Sequence, residues 1–335
     1  MNPAHIRLAV IAALIAAPAA PSMALTINTS FDSSVTSQAN ALTIEGAFNQ
    51  ATAAFQSILA NPVTVNVKVS WGNINGQALP SNALGVSSTS LYGYFSYAQM
   101  KSWLTASAAT AADRQAYATL PATAPAGESQ YVLTSAQAKA LGLVAPNGTA
   151  LDGSIGFGAS PYDFNPSDGI SAGTYDFVAV AEHELSEVLG RISGLSSSAP
   201  AYATALDLFR FTSDGVRTFS YTGNGYFSID NGTTDLANFN HSTSGGDRGD
   251  WYSTSLTTDM ADAFAYSGTH GIFSSVDQTA LDVVGWGSTG TGTGSGYVLS
   301  TQKGLQDTGI PEPASLTLLT AGAMSAAGLR RRRPA

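Results

Sequence analysis

The chain has 335 residues, no cysteine, 11% charged residues and a net charge of −9 at neutral pH. The lack of cysteine excludes a disulfide framework, so stability has to come from an ordinary hydrophobic core, helped by ions where they bind. There is no basic stripe, which excludes nucleic acid as a partner.

The opening reads as a secretory signal peptide. Arg7 precedes an apolar run from Leu8 to Ala17, and Ser22-Met23-Ala24 is a small-x-small cleavage site, so residues 1–24 are expected to be removed. At the other end, Ile310-Pro311-Glu312-Pro313 precedes an apolar stretch from Ala314 to Leu329 and then Arg330 to Arg333. That stretch is shorter than the ~20 residues of a comfortable transmembrane helix, and the arginines after it predict a cytoplasmic tail on an exported body. Setting aside Glu312, Arg7 and the four terminal arginines leaves 22 acids and 9 bases in residues 25–309. A body this acidic suits solubility and cation binding outside the cell.

Within the body, residues 43–60 repeat apolar side chains at Ile44, Ala47, Phe48, Ala51, Phe55, Ile58 and Leu59, the spacing of an amphipathic helix, with Thr43 as its N-cap. Asn61-Pro62 stops it. Val63 to Trp71 then alternates apolar and polar residues, the pattern of a strand with one buried face. A helix followed directly by such a strand predicts an α+β domain. Leu91 to Ala109 turns helical toward its end, and Thr119–Gly127 is a loop. Thr134 to Leu143 is a short helix opened by Thr134 or Ser135 and closed near Gly142. Leu151 to Gly158 is glycine-rich and extended, either an edge strand that could run beside a bound peptide or a tight structural strand. Asp163, Asn165, Asp168 and Asp176 punctuate the next loop. They fit calcium or, more simply, surface turns.

Val178 to Ile192 is the stretch that carries chemistry. Phe177, Ala181, Leu185, Val188 and Ile192 form an apolar stripe at helical spacing. His183 and Glu187 are four apart, hence about 5–6 Å between Cβ atoms on one face, and Gly190 can end the helix. Two ligands one turn apart, with Glu184 beside the first to handle a water proton, is the layout of a metal-protease helix. A carboxylate is a legitimate zinc ligand, so Glu187 can stand where a second histidine is usual. The alternative is structural: Glu187 pairs with Arg191 along the helix, and His183 hydrogen-bonds in a polar patch.

After a Gly/Ser/Pro loop from Ser193 to Ala201, Ala205–Phe211 and Tyr226–Gly232 read as strands, the second running into an Asn-Gly turn. Phe239-Asn240-His241 and Gly246-Asp247-Arg248-Gly249-Asp250-Trp251 follow. Asp277–Trp286 is a short amphipathic helix closed by glycine, and Gly287–Gly296 is flexible by composition. The expected division is signal peptide 1–24, an N-terminal subdomain 25–195 with the His183 helix, a C-terminal subdomain 196–287, a linker 288–309 and a terminal segment 310–335.

Two resemblances follow from these motifs. The tripartite end from Ile310 to Ala335 resembles the PEP-CTERM sorting signal of Gram-negative bacteria with exopolysaccharide envelopes. The resemblance implies a transient hold in the inner membrane, processing by an exosortase, and a cell-surface or matrix destination. The motifs at His183–Arg191, Leu206–Phe211, Tyr226–Gly232, Phe239–Asn240, Gly246–Trp251 and Asp277–Trp286 resemble those of secreted bacterial metalloproteases that carry the same tail. That family is placed near the metzincin-like zincins. The resemblance implies a twisted mixed sheet with a long active-site helix, a smaller C-terminal subdomain, and a protein or peptide substrate in the cleft between. It implies zinc, with His183 and Glu187 as ligands, Glu184 as general base, and Gly190 and Arg191 as supports. In the metzincin pattern the third ligand falls at Ser193, which cannot replace a histidine. Candidates for the remaining ligand are His241, Asp207, Asp247 and Asp250, and each aspartate could instead be a turn or capping residue. His270 reads as an exposed loop histidine and Met260, near the place of the metzincin methionine, as a packing residue. The function expected is a secreted zinc endopeptidase. The other class that fits is a catalytically silent zincin-like surface or biofilm-matrix protein.

Overall fold

Residues 24–125, 130–196, 202–241, 243, 246–254, 258–288 and 310–311 are described by the computed structural model. The expected signal peptide up to residue 23, the linker from residue 289 and the tail beyond Pro311 lie outside the described residues. The architecture is mixed, with seven α-helices and several sheets among the described residues, as an α+β chain would have.

The main sheet is built from β1 (Thr26–Phe31), β2 (Thr64–Trp71), β3 (Gly85–Thr89) and β4 (Gly153–Phe157). Its order is β1-β2-β4-β3. The first three strands are parallel and β3 runs antiparallel to β4 at the end of the sheet. The glycine-rich segment Leu151–Gly158, one of whose readings was an edge strand, is therefore interior. Its backbone is already paired on both sides, so it cannot add a peptide strand, and β3 is the terminal strand instead. The alternation of β2 buries Val65, Val67 and Val69 completely. Its polar face is covered too: Asn66 donates to the carbonyls of Gly148 and Ala150, and Ser70 donates to Asp32. Buried polar groups are tolerated there because each has a partner.

Helix α1 (Ala41–Ile58) crosses the sheet and buries the whole predicted stripe. Its N-cap is Asn40 rather than Thr43, so the helix begins two residues before the expected start. Phe48 meets Phe31 at 5.8 Å and Phe157 at 6.0 Å between ring centroids, which fixes α1 on β1 and β4. Next in the chain come α2 (Tyr97–Ser107), α3 (Ala111–Ala118) and α4 (Ser135–Ala140), each opened by a capping box; for α4 the box is Thr134 with Gln137.

The central helix α5 spans Phe177–Val188, four residues shorter at its C-terminus than the apolar pattern suggested. Asp176 caps it by accepting from the Ala179 amide. Gly190, at φ +110°, ends it: its amide bonds the Glu187 carbonyl and the Arg191 amide bonds the Ser186 carbonyl, a Schellman motif. Every residue of α5 is buried, so it has no solvent face. Phe177 packs on Phe157 of β4, with ring centroids 4.6 Å apart and the planes tilted by 48°. Gly153 and Gly85 let the sheet approach closely, because a Cβ at either place would overlap Val188 or Glu184.

Past α5 the chain makes short antiparallel strands, β5 (Arg210–Ser213), β6 (Val216–Arg217), β7 (Tyr226–Phe227) and β8 (Ala237–Asn238), in the order β6-β5-β7-β8. Leu206–Phe209 is a 3-10 turn rather than the start of the expected strand. The expected strand Tyr226–Gly232 stops at Phe227 because Ser228 binds Asp230 and the Gly232 amide, closing a turn with Asn231 and Gly232 both at positive φ. Further on, β9 (Phe264–Ala265) pairs with Ile310–Pro311, and α6 (Ser275–Val283) returns against the core. Trp286 then donates its indole N–H to the Leu189 carbonyl at 2.7 Å, sealing the end of α5. One continuous apolar core runs from Leu25 to Trp286. No helix among the described residues is long and apolar enough to cross a membrane.

Candidate metal centre

The buried middle of α5 presents His183. Its Nδ1 lies 2.9 Å from the carbonyl oxygen of Met260, which can only accept, so Nδ1 carries the proton and Nε2 the lone pair. Burial and the nearby Arg191 charge lower the His183 pKa to about 3, so the ring is neutral and able to ligate. Met260, read from the sequence as a packing residue, is indeed buried, and its backbone also sets the histidine tautomer. Hydrogen bonds of this kind from the far nitrogen are the usual support of a metal-binding histidine.

Two carboxylates face that Nε2. An oxygen of Asp250 is 3.5 Å away and an oxygen of Glu187 is 3.9 Å away. These are close to the edge of about 3.3–3.6 Å in a tetrahedron with bonds of roughly 2.0–2.2 Å. The three residues form a buried group that could hold a metal ion. Burial, followed by the Asp247 and Asp250 charges, raises the Glu187 pKa well above the carboxylate range; burial raises Asp250 to about 7 despite Arg191. The other Asp250 oxygen, Oδ2, is buried and has no hydrogen-bond partner. Asp250 thus keeps one buried oxygen without a hydrogen bond while its other oxygen lies beside the His183 lone pair, an environment a cation would complete.

The strand beside α5 takes part as well. Ser87 of β3 donates its hydroxyl to Glu187 at 2.6 Å, holding the carboxylate on the helix face turned to His183. Nothing in the segment Gly85–Thr89 marks it as functional in the sequence, since a lone serine in a strand has no motif. Glu184, the expected general base, is not one of the three clustered donors. Its carboxylate lies under β3 against Gly85. Beside His183 a small cavity of about 30 Å³, lined also by Asp176, Val180, Met260, Asp262 and Tyr266, is of a size for water.

Of the four candidates for the remaining ligand, the structure brings only Asp250 into the group. Asp207 instead ties down the loop after α5: it accepts from the Ser193 hydroxyl at 2.6 Å and from the amides of Gly194 and Thr204. Ser193, at the position of the metzincin third ligand, is thereby turned away toward Asp207. His241 bonds Thr243 and stacks on Tyr252 at 4.7 Å, apart from the cluster. Asp247 is half-buried and near enough to act on Glu187 and Asp250 by charge, but it is not among the clustered donors.

Arg191 also differs from expectation. Because the chain turns at Gly190, Arg191 is not one helical turn beyond Glu187, and its ion pair is with Asp250, at 3.1 Å. The calcium-like acids resolve into turns and caps. Asp163 accepts from the amides of Asn165 and Ser171, Asp168 sits in a 3-10 turn, and Asp176 caps α5. His270 is exposed in a loop, as expected, and it is also anchored, with its Nδ1 2.6 Å from Asp176. The sequence also gave no warning of Glu182, buried on α5, which burial and then Asp176 push up to about 8. Comparison of the chain with protein-family models, with curated proteins and with solved structures gave no match.

Proposed function

We propose that the chain is an exported zinc-dependent endopeptidase of zincin-like build, with His183, Glu187 and Asp250 as ligands and Glu184 as general base. The observation that carries this reading is the convergence of one neutral imidazole nitrogen and two carboxylates on the buried helix, with Asp250 Oδ2 left without a partner. Zinc held there would supply Lewis acidity toward water and a peptide carbonyl. Met260 and Ser87 keep the two helix ligands oriented. Glu184 follows His183 directly and would accept the water proton at its carboxylate, whose place is set by its contact with Gly85. Strand β3 packs Gly85 on Glu184 and bonds Glu187 through Ser87, so the terminal strand of the sheet supports both carboxylates. Export through a cleaved leader and surface sorting through the PEP-CTERM-like end complete the proposal.

A second reading, a catalytically silent surface or matrix protein with a zincin-like fold, is favoured by two observations. Arg191 already binds Asp250, and the clustered side chains are almost fully buried. Metal analysis of the purified mature chain separates the two. About one zinc per chain, lost in His183→Ala, together with proteolysis abolished in Glu184→Gln, supports the enzyme. Zinc-free protein, or undiminished proteolysis by Glu184→Gln, overturns it.

A further inference from the structure

Arg191 has the place and the contacts of a cation. Its side chain is fully buried. Nε donates to the Ser186 hydroxyl at 2.8 Å, and Nη1 to the Gly249 carbonyl and to Asp250 Oδ1, each at 3.1 Å. Nη2 lies 3.5 Å from His183 Nε2. With Nδ1 committed to Met260, that nitrogen is an acceptor, so the contact runs from guanidinium to imidazole. The two atoms Arg191 addresses, Asp250 Oδ1 and His183 Nε2, are the same two that lie 3.5 Å apart and would close on a metal.

We infer that Arg191 is a resident counter-cation of this centre, which holds Asp250 and His183 in the metal-free chain and must yield Asp250 Oδ1 and His183 Nε2 to a metal when one binds. The inference rests on the proposed metal site and adds a residue that sets its affinity. The reason is competition. One lone pair on His183 cannot serve both a guanidinium N–H and a metal, and a divalent ion next to a buried guanidinium is repelled by it. The fold builds this in locally, because the turn at Gly190 sends the next side chain back along the helix end toward the cluster. A rigid fork matches the four acceptors around it, which a lysine could not reproduce. A metal-free chain therefore stays folded with Asp250 paired, and metal is taken up at the expense of the Arg191–Asp250 pair.

The test uses the mature chain as wild type, Arg191→Met, Arg191→Lys and His183→Ala, with zinc alone as probe. Zinc affinity is read by competition with a chromophoric chelator, and thermal unfolding is followed with and without zinc. Arg191→Met is expected to unfold earlier when metal-free, to bind zinc at least ten-fold more tightly than wild type, and to gain more in unfolding temperature from zinc. Arg191→Lys should shift the same way by less. In wild type, saturation with zinc should move the side-chain Nε–H resonance of Arg191 in NMR, a readout that does not depend on any variant folding. Zinc binding that is equal or weaker in both Arg191 variants, or an Arg191 resonance unmoved at saturation, overturns the inference and leaves the metal site standing. Failure of every chain, wild type included, to bind zinc removes the metal site and the inference together.

Discussion

The Nδ1 of His183 and the carbonyl oxygen of Met260 lie 2.9 Å apart, across 77 positions of sequence. This contact decides which imidazole nitrogen faces Glu187 and Asp250, and it makes the loop around Met260 part of the site.

Removing Asp250 tests both halves of the cluster. Asp250→Asn keeps the shape but leaves Arg191 buried without its ion partner, a loss of about 3–5 kcal/mol in urea unfolding of the metal-free chain. Zinc uptake should fall with it. A variant as stable as wild type would mean that the buried pair is not formed.

Ser87→Ala removes the hydroxyl that Glu187 accepts. Losing a buried hydrogen bond costs about 0.5–1.5 kcal/mol, and loss of an orienting partner lowers metal affinity roughly 10–100-fold. Chelator competition reads the second effect. Unchanged affinity would remove Ser87 from the site.

Gly85→Ala separates metal binding from proton transfer. The new Cβ would overlap the Glu184 carboxylate and push it aside, its three nearest atoms all belonging to Glu184. The expected result is normal zinc content with kcat on a peptide substrate reduced about 100-fold, the scale of a lost general base. Equal loss of zinc and of turnover would show that the strand, rather than Glu184, had been disturbed.

Glu182 should give the metal-free protein a pH-dependent stability. Its folded pKa of about 8 stands above the ordinary 4.5, so between those values the folded chain keeps a proton that the unfolded chain has released. Stability therefore falls as pH rises across that window. In Glu182→Gln this fall should shrink, and urea midpoints at both ends of the window would reveal it. Parallel pH profiles of variant and wild type would count against the assignment.

His270 acts through Asp176. The hydrogen bond to that carboxylate raises the histidine pKa above 6.5. The stabilisation is fully present below about pH 6.5 and is lost as pH rises through the raised folded value. The side chain is half exposed, so His270→Ala should cost only about 0.5–1 kcal/mol at acidic pH and less when alkaline. A cost independent of pH would mean that packing, not charge, holds the segment to α5.

What the sequence determined by itself is local. The stripe of α1, the alternation of β2, the capping box at Thr134 and Gln137, and the helix carrying His183, Glu184 and Glu187 all depend on neighbours within a few residues. So does the stop at Gly190, since a positive φ at the end of a helix favours glycine. The choice among Asp207, His241, Asp247 and Asp250 was not local. Asp250 stands 59 positions after Arg191 and reaches it only because the segment around Trp251 folds back over the helix end. Asp207 looked equivalent as a residue type, yet the loop at Ser193 and Thr204 claimed it. The end of the sheet went to β3 rather than to the glycine-rich segment for the same reason. Which strand is left at an edge depends on pairings between distant segments, and a strand's own sequence records its faces but not its neighbours.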